Sequence, residues 1–457
     1  MPPWNSTISS LAARAWTKTS NNWNQVWFQD KTTLPLDVIR LLLGFLLFFN
    51  YAMYSSDDVL ALYSNHGLFS KDVVPEMQTL SSFSLFAYLD QDWQVLTFHY
   101  VFVSLAFMLF VGWHTSWAKW LVLIGHLSYF NRNEFLFYGV DTVAIALLLI
   151  LCIAPIGRYL SLDRVEYQRR LMKEKGLDAR APAFTSRRGF ACQRLIQIQM
   201  AIIYFSSAIE KLYGNSWWSG EAPWFAMANN ETAFFPLGVF AEHFWLINLM
   251  AYGTILIEIA YPFLIWGYKT RPYLLAGALM LHTSIALLLG MYYFAAVMIC
   301  GHLAFMRRGW YAAAGEWWRD KLGGMEMIYD GDCGFCKRSM IWFLGFDGLR
   351  QIKTRNYRSD PSPLVASEKV DVALYVVTPD NKAIPGFDAY RHVVLRVPGM
   401  WWLVPFFYIP ALSRWIGRPT YLWIARNRMV LSKYFFTAKS AKDETGGSCG
   451  LKTQTPD

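Results

Sequence analysis

The sequence predicts a multi-pass α-helical membrane domain of about eight helices, followed by a C-terminal α/β domain. Hydrophobic residues make up 54% of the 457 residues and charged residues only 16%, and 21 residues are tryptophan. Such a composition is typical of a membrane protein with aromatic side chains at its interfaces. Apolar segments of near-spanning length recur through the first two thirds of the chain, whereas short apolar runs separated by turn residues follow.

Eight apolar segments are candidates for crossing a bilayer. They lie at about residues 34–54, 94–112, 117–129, 135–156, 191–213, 244–266, 272–290 and 291–306. Basic residues cluster in the segment 157–189, so the positive-inside rule explains the net charge of +9 without nucleic acid as a partner. We therefore expect an integral protein of a bacterial inner membrane, with both termini and the C-terminal domain in the cytoplasm.

The predicted domain organisation follows these changes in composition. It comprises a polar N-terminal segment (1–30), a membrane domain (31–308), an amphipathic linker (309–324), a C-terminal domain (325–438) and a flexible tail (439–457). The tail is polar and glycine-rich, and we interpret its Cys449 as an ordinary tail cysteine rather than a third exchangeable thiol.

A Cys-x-x-Cys pair, Cys333 and Cys336, is the clearest chemical motif of the chain. The residues around it predict a strand at 325–329, a turn at 330–332 and a helix at 333–344, so both thiols lie on the first helical turn. The unpaired N–H groups and the dipole of that turn favour a thiolate. Cys333, expected to be the more exposed of the two, would attack a disulfide, and Cys336 would resolve the mixed disulfide.

Zinc binding is the alternative reading of a single Cys-x-x-Cys pair. A closed zinc site needs a second pair of ligands, and only His392 and Cys449 are available downstream. Redox chemistry, with no metal, is therefore the favoured interpretation.

The C-terminal domain resembles the DCC family of thiol-disulfide oxidoreductases over about the last 130 residues. The resemblance is carried by Tyr329-Asp330-Gly331-x-Cys333-x-x-Cys336 and, further on, by Ile409-Pro410, Tyr421 and Ile424-Ala425-Arg426-Asn427-Arg428. It implies a thioredoxin-like fold, protein-disulfide reductase activity on a protein or small-thiol partner, and Asp330 as the motif aspartate beside the redox pair. The dithiol chemistry itself would need no cofactor.

Ionisable residues within apolar spans are functional candidates because they are costly to bury in a membrane. Lys211 is the leading candidate, since a desolvated lysine can act as a base, although it could also extend to the interface. For His282, Glu258 and the other histidines in the spans, a hydrogen-bonded contact between helices is the alternative to catalysis.

Residues of about 25–310 resemble the HTTM domain, the membrane domain related to vitamin K-dependent gamma-carboxylase. The resemblance is carried by Leu136-Phe137-Tyr138-Gly139, Tyr204-Phe205, Glu210-Lys211-Leu212, Trp218-x-Gly220 and Leu281-His282. It implies Lys211 as a catalytic lysine and a vitamin K-like quinone bound by Lys211 and His282. Two departures weigh against carboxylation: Glu134 stands where the family has a histidine, and a redox domain replaces the luminal domain.

Three functions follow from these readings. The first is a membrane-anchored thiol-disulfide oxidoreductase, coupled to a quinone or peptide held by the membrane domain. The second is a carboxylase-like enzyme that uses its Lys211 to modify a co-encoded peptide. The third is a membrane scaffold or transporter in which Lys211, Glu258 and His282 line a path.

Overall fold

The structure, a computed structural model, describes residues 22–68, 83–133, 136, 138–229, 237–370 and 373–436. Cys449, the predicted tail and Glu134 lie outside these residues. The chain forms two compact units: a larger unit of residues 1–168 and 180–314, and a C-terminal unit of residues 169–179 and 315–457. The assignment of 169–179 to the C-terminal unit was not foreseen from the sequence.

The larger unit is built from helices packed around one apolar core. Two short strands of this unit, β1 (Lys31–Thr32) and β2 (Thr185–Ser186), form an antiparallel pair. Its helices are α1 (Leu34–Ala52), α2 (Ser56–Tyr63), α3 (Asp92–Val111), α4 (Thr115–Phe130), α5 (Gly139–Ile153), α6 (Leu162–Lys175), α7 (Arg187–Tyr213), α8 (Asn215–Trp218), α9 (Ala222–Ala228), α10 (Gly238–Glu242), α11 (Phe244–Leu264), α12 (Arg271–Leu289) and α13 (Tyr292–His302). Helix α6 also contributes its C-terminal turns to the C-terminal unit.

A helix stands at each of the eight predicted spans, but only part of the membrane prediction is confirmed. Four of the described helices, α1, α3, α11 and α12, are long and apolar enough to cross a membrane. Helices α5 and α13 are apolar but shorter. Association with a membrane therefore has support, whereas eight crossings and their orientation stay predictions.

A buried ion pair joins α1 to the rest of the larger unit. Asp37 and Arg40 are fully buried and lie one turn apart, 3.3 Å from carboxylate oxygen to guanidinium nitrogen. Arg40 donates to the carbonyls of Leu109 and Phe110 at the end of α3 and to that of Leu160, at 2.6–2.9 Å. Asp37 accepts the backbone N–H groups of residues 157–159. Both charges thus satisfy backbone groups that helix ends and turns leave without partners.

The C-terminal unit is a four-stranded mixed sheet with helices. Its strands are β3 (Met325–Tyr329), β4 (Ile352–Asn356), β5 (Tyr375–Val377) and β6 (Ala383–Pro385), in the order β4-β3-β5-β6. Strands β3 and β4 are parallel, and β5 is antiparallel to both β3 and β6. Helix α14 (Arg308–Leu322) precedes the sheet and runs from the larger unit into this one. The other helices of the unit are α15 (Gly334–Phe346), α16 (Ser367–Val370), α17 (Gly386–Arg396), α18 (Val404–Tyr408), α19 (Pro410–Leu412) and α20 (Arg418–Phe436).

The core of the C-terminal unit lies between the sheet, α15 and α17. Met327 of β3, Met340 of α15 and Val393 of α17 have no exposed surface. Met172, from the segment 169–179, packs into the same core, which explains why that segment belongs to this unit. The strands predicted at 325–329 and 351–356 are confirmed, β5 is shorter than predicted, and β6 was missed.

The segment 397–416 contains three prolines and is broken into short helical pieces. The pieces are a 3₁₀ helix at Pro398–Leu403, α18, α19 and a π-helical turn at Ser413–Gly417.

Candidate functional site

The two cysteines lie where a parallel strand of the C-terminal unit gives way to a helix. Strand β3 ends at Tyr329, residues 330–332 turn, and Cys333 caps α15. The Sγ atom of Cys333 accepts the N–H of Cys336 at 3.4 Å. A sulfur that accepts a backbone N–H at a helix N-terminus is favoured as the thiolate, so the chemistry expected of Cys333 fits its position.

The expected order of exposure of the two thiols is reversed. Cys333 is buried, with 6% of its surface exposed, whereas Cys336 is partly exposed and lines a pocket. The capping hydrogen bond holds the Cys333 side chain toward the first turn of α15, where its Sγ atom accepts the N–H of Cys336.

The motif aspartate, Asp330, holds the turn before the cysteines. Its Oδ1 atom accepts the N–H of Asp332 at 2.9 Å, and its carboxylate receives two parallel hydrogen bonds, of 3.0 and 3.1 Å, from the guanidinium group of Arg358. Asp330 is buried. Both oxygens of this carboxylate accept hydrogen bonds, and these contacts hold the turn in place.

Asn356, the last residue of β4, fixes the same turn from the neighbouring strand. Its Oδ1 atom accepts the N–H groups of Gly331 and Arg358, at 3.0 and 3.2 Å. A Cβ atom on Gly331 would lie 2.2 Å from the Asn356 amide, so a larger residue here would displace the side chain that fixes the turn. Burial raises the pKa of the neighbouring Tyr329, and the carboxylate of Asp178 from the segment 169–179 adds to that shift.

Sequence reasoning missed Arg358 and Asn356. A usable signal was present, because the carboxyl ends of parallel strands meet at one edge of a sheet. Polar residues directly after β4 were therefore candidates to contact the turn after β3. Among the residues that the structure describes, no group of three or more His, Cys, Asp or Glu side chains is arranged to hold a metal ion.

The two other predicted site residues, Lys211 and His282, lie in the larger unit. Lys211 is near the end of α7, and its Nζ atom is 3.0 Å from both carboxylate oxygens of Glu258 on α11. It also donates to Ser207 Oγ at 2.6 Å. Lys211 is therefore held in an ion pair within the helix bundle.

His282 is the end of a chain of hydrogen bonds whose directions the contacts determine. The Nδ1 atom of His302 faces the Met298 carbonyl, so it carries the proton and Nε2 accepts. Tyr204 therefore donates its hydroxyl proton to His302 Nε2, at 2.9 Å, and accepts the N–H of His282 Nε2, at 2.8 Å. In a neutral His282 the remaining nitrogen, Nδ1, then carries only a lone pair.

That nitrogen is buried and has no hydrogen-bond partner among the described residues. His282 is 3% exposed. The hydroxyl of Tyr261, stacked on Tyr204 with ring centroids 4.0 Å apart, also lacks a partner in the described part of the chain. Unsatisfied buried groups are costly, and they mark places where a ligand or water completes the structure.

Comparison with known protein families assigns one part of the chain. Residues 327–434 match the family model described as DCC1-like thiol-disulfide oxidoreductase. The C-terminal unit is therefore similar to a thiol-disulfide oxidoreductase, which confirms the resemblance drawn from the Cys-x-x-Cys motif. No curated protein and no solved structure matched the chain.

We predict that replacing Arg358 slows disulfide exchange, because the turn that precedes Cys333 loses the ion pair between Arg358 and Asp330. Arg358→Leu should lower kcat/KM for insulin reduction about tenfold, the size expected for a lost charged hydrogen bond. Arg358→Lys should recover only part of the rate, since an ammonium group cannot reproduce the two parallel contacts.

The matched control is Arg355→Leu. Arg355 lies three residues earlier and pairs with Glu326 and Asp360 at 2.9 and 2.7 Å, outside the cysteine turn. The Arg355→Leu variant should keep kcat/KM within about twofold of the value for the unaltered protein, because ion pairs at the surface contribute little. Equal losses in the Arg355 and Arg358 variants would contradict the positioning role.

Proposed function

We propose that the protein is a membrane-anchored thiol-disulfide oxidoreductase whose Cys333–Cys336 pair reduces disulfides of partner proteins. One observation carries the proposal: Cys333 Sγ caps the N-terminus of α15 by accepting the N–H of Cys336, and Cys336 itself is partly exposed. The family match over residues 327–434 supports the activity, and the four long apolar helices support the anchor. The sheet order supports a thioredoxin-like fold, since the first two strands are parallel neighbours and an antiparallel hairpin completes the sheet.

Reduction of a partner disulfide takes place in two steps of thiol–disulfide exchange. The Cys333 thiolate attacks one sulfur of the partner's disulfide, which forms a mixed disulfide and releases the other sulfur as a thiolate. Cys336 then gives up its proton and attacks Cys333 Sγ, which forms the Cys333–Cys336 disulfide and releases the second partner thiol. Two electrons pass from the dithiol to the partner, and an external thiol must reduce the pair again. The positive-inside pattern of the sequence favours the reducing cytoplasm as the compartment of this exchange.

We predict that Cys336→Ser accumulates a mixed disulfide with its substrate, whereas Cys333→Ser does not. Turnover of insulin should fall at least about 100-fold in both variants, since neither can complete the two steps. Mass spectrometry of alkylated protein identifies the trapped cysteine. Cys152→Ala, which removes a buried thiol of the larger unit, is the control and should keep its turnover.

Accumulation of the mixed disulfide in Cys333→Ser instead would reverse the two roles, in line with the greater exposure of Cys336. Undiminished turnover in both variants would rule out the proposed function.

We further propose that Lys211 and His282 of the larger unit hold a vitamin K-like quinone, as the HTTM resemblance implies. The orphaned Nδ1 atom of His282 fits this group, because it can accept a hydrogen bond from the hydroxyl of a hydroquinone. Lys211, paired with Glu258, fits as a donor to an oxygen rather than as a free base. When bound, a quinone would accept the two electrons and two protons that a dithiol gives up. Carboxylase-like chemistry at Lys211 stays a prediction.

We predict that His282 favours the reduced form of the ligand, because a hydroquinone donates a hydrogen bond and a quinone does not. His282→Phe should weaken binding of reduced vitamin K analogues about tenfold more than binding of the oxidised forms. Equilibrium binding in lipid nanodiscs measures both constants. His243→Phe, at an exposed histidine, is the control.

Equal weakening of both redox forms, or no binding to the unaltered protein, would contradict a quinone site at His282.

A further inference from the structure

Four positively charged side chains gather at one end of the helix bundle in the larger unit. They are Lys31, Arg194, Arg271 and Arg307, called the basic cluster below. Lys31 is in β1, whose pairing with β2 places it opposite Ser186, directly before α7. Arg194 is in the second turn of α7, Arg271 begins α12, and Arg307 follows α13. Each member of the cluster therefore stands at or near the end of a helix.

Aromatic rings connect three members of the basic cluster. The Phe190 ring carries two cations, with Lys31 Nζ at 4.6 Å and the guanidinium carbon of Arg194 at 5.0 Å from its centroid. The Arg194 guanidinium group also lies 5.9 Å from the Trp266 ring. Arg271 donates to the Trp266 carbonyl at 3.2 Å. A continuous series of contacts thus runs from Lys31 to Arg271.

Arg307 joins the cluster through the loop 265–270, which links α11 to α12 and contains Trp266. Its guanidinium carbon lies 3.6 Å from the ring centroid of Tyr268 and 5.1 Å from that of Trp310. Arg307 also donates a hydrogen bond to the Tyr268 carbonyl. The rings and carbonyls of one loop therefore hold two arginines in place, and their remaining N–H groups are left for another acceptor.

The basic cluster has no acidic partner in the part of the chain that the structure describes. None of its four members forms an ion pair with a carboxylate there. Burial lowers the pKa of Lys31, and the positive charges of Arg194 and Arg271 lower it further. The Nε atom of Arg307 is buried and has no hydrogen-bond partner among the described residues. Like charges held together without a counter-ion repel one another, so the cluster attracts an anion.

The position of the cluster along the helices indicates where that anion comes from. Three helices that are long and apolar enough to cross a membrane end here: α1 begins three residues after Lys31, α11 ends before the loop 265–270, and α12 begins at Arg271. The ends of such helices lie at the level of the lipid headgroups, where aromatic side chains are common. Trp266 and Tyr268 are 37% and 75% exposed, and Phe263, near the end of α11, is 65% exposed.

We propose that the basic cluster binds the phosphate group of an anionic phospholipid, whose acyl chains lie along exposed apolar side chains of α11 and α12. The inference rests on the proposed membrane anchor and is independent of the thiol chemistry. Guanidinium groups suit a phosphodiester because their N–H groups can bind two of its oxygens at once. A zwitterionic lipid carries a cation of its own, which the cluster repels, so a lipid with a net negative charge is selected.

The test measures lipid binding to the full chain in detergent by native mass spectrometry. The probes are phosphatidylglycerol, which has one net negative charge, and phosphatidylcholine, which has none. We expect phosphatidylglycerol to bind about tenfold more tightly, and to raise the unfolding temperature more at equal concentration.

Two lysines at the same end of the bundle provide matched variants. Lys31→Gln removes one charge of the cluster and should weaken phosphatidylglycerol binding about fivefold, the size expected for one lysine beside an anionic lipid. Lys269→Gln removes the same charge from an exposed position of the loop 265–270 that lies outside the cluster, and it should keep binding within about twofold. Both variants should unfold at the temperature of the unaltered protein when no lipid is added.

The possible outcomes separate the lipid site from the functions proposed above. Equal binding of the two lipids, or equal losses in the two variants, overturns the proposal, because a diffuse attraction to basic residues then suffices. Inorganic phosphate that displaces phosphatidylglycerol at comparable concentration also overturns it and identifies a soluble phosphate as the ligand. A chain that stays in solution without detergent contradicts the membrane anchor, whereas failure to reduce insulin contradicts only the thiol chemistry.

Discussion

Burying a polar group costs free energy unless the group finds a hydrogen-bond partner. This constraint applies in both units of the chain. In the larger unit, Arg40 and Asp37 satisfy the backbone at the end of α3 and in the turn at 157–160. In the C-terminal unit, Asp330, Arg358 and Asn356 do the same for the turn that presents the cysteines. His282 Nδ1 and the Tyr261 hydroxyl are exceptions in the helix bundle, since they have no hydrogen-bond partner among the described residues.

The sequence was sufficient to predict the elements that depend on local patterns. Apolar length places a helix at each expected span, and the alternation of apolar runs and turns locates β3, β4 and the helix after the cysteines. It could not predict that Met172 packs into the C-terminal core, because a methionine in a basic, polar helix carries no signal of its distant partners. Strand β6 is only three residues long and depends on pairing with β5, so its pattern is too short to recognise.

The sequence predicted the two cysteines of the candidate site but not the residues that hold them in place. The spacing of Cys333 and Cys336 predicts a redox pair, since two thiols on one helical turn suit few other roles. Their order of exposure depends on how the capping sulfur folds toward the Cys336 N–H, a detail that spacing does not contain. Arg358 reaches Asp330 only because β3 and β4 are parallel neighbours. Likewise, the pairing of Lys211 with Glu258 required the packing of α7 on α11.

The most direct test of the account is the redox equilibrium of the two thiols. Sealed membranes that contain the full chain are equilibrated at set ratios of reduced to oxidised dithiothreitol, and then stopped with an alkylating reagent that adds mass to each thiol. The account predicts that Cys333 and Cys336 change together, as one two-electron couple, with the oxidised fraction following the ratio of the buffer. Thiols that remain fully reduced at every ratio, or that react independently of each other, would contradict a redox pair.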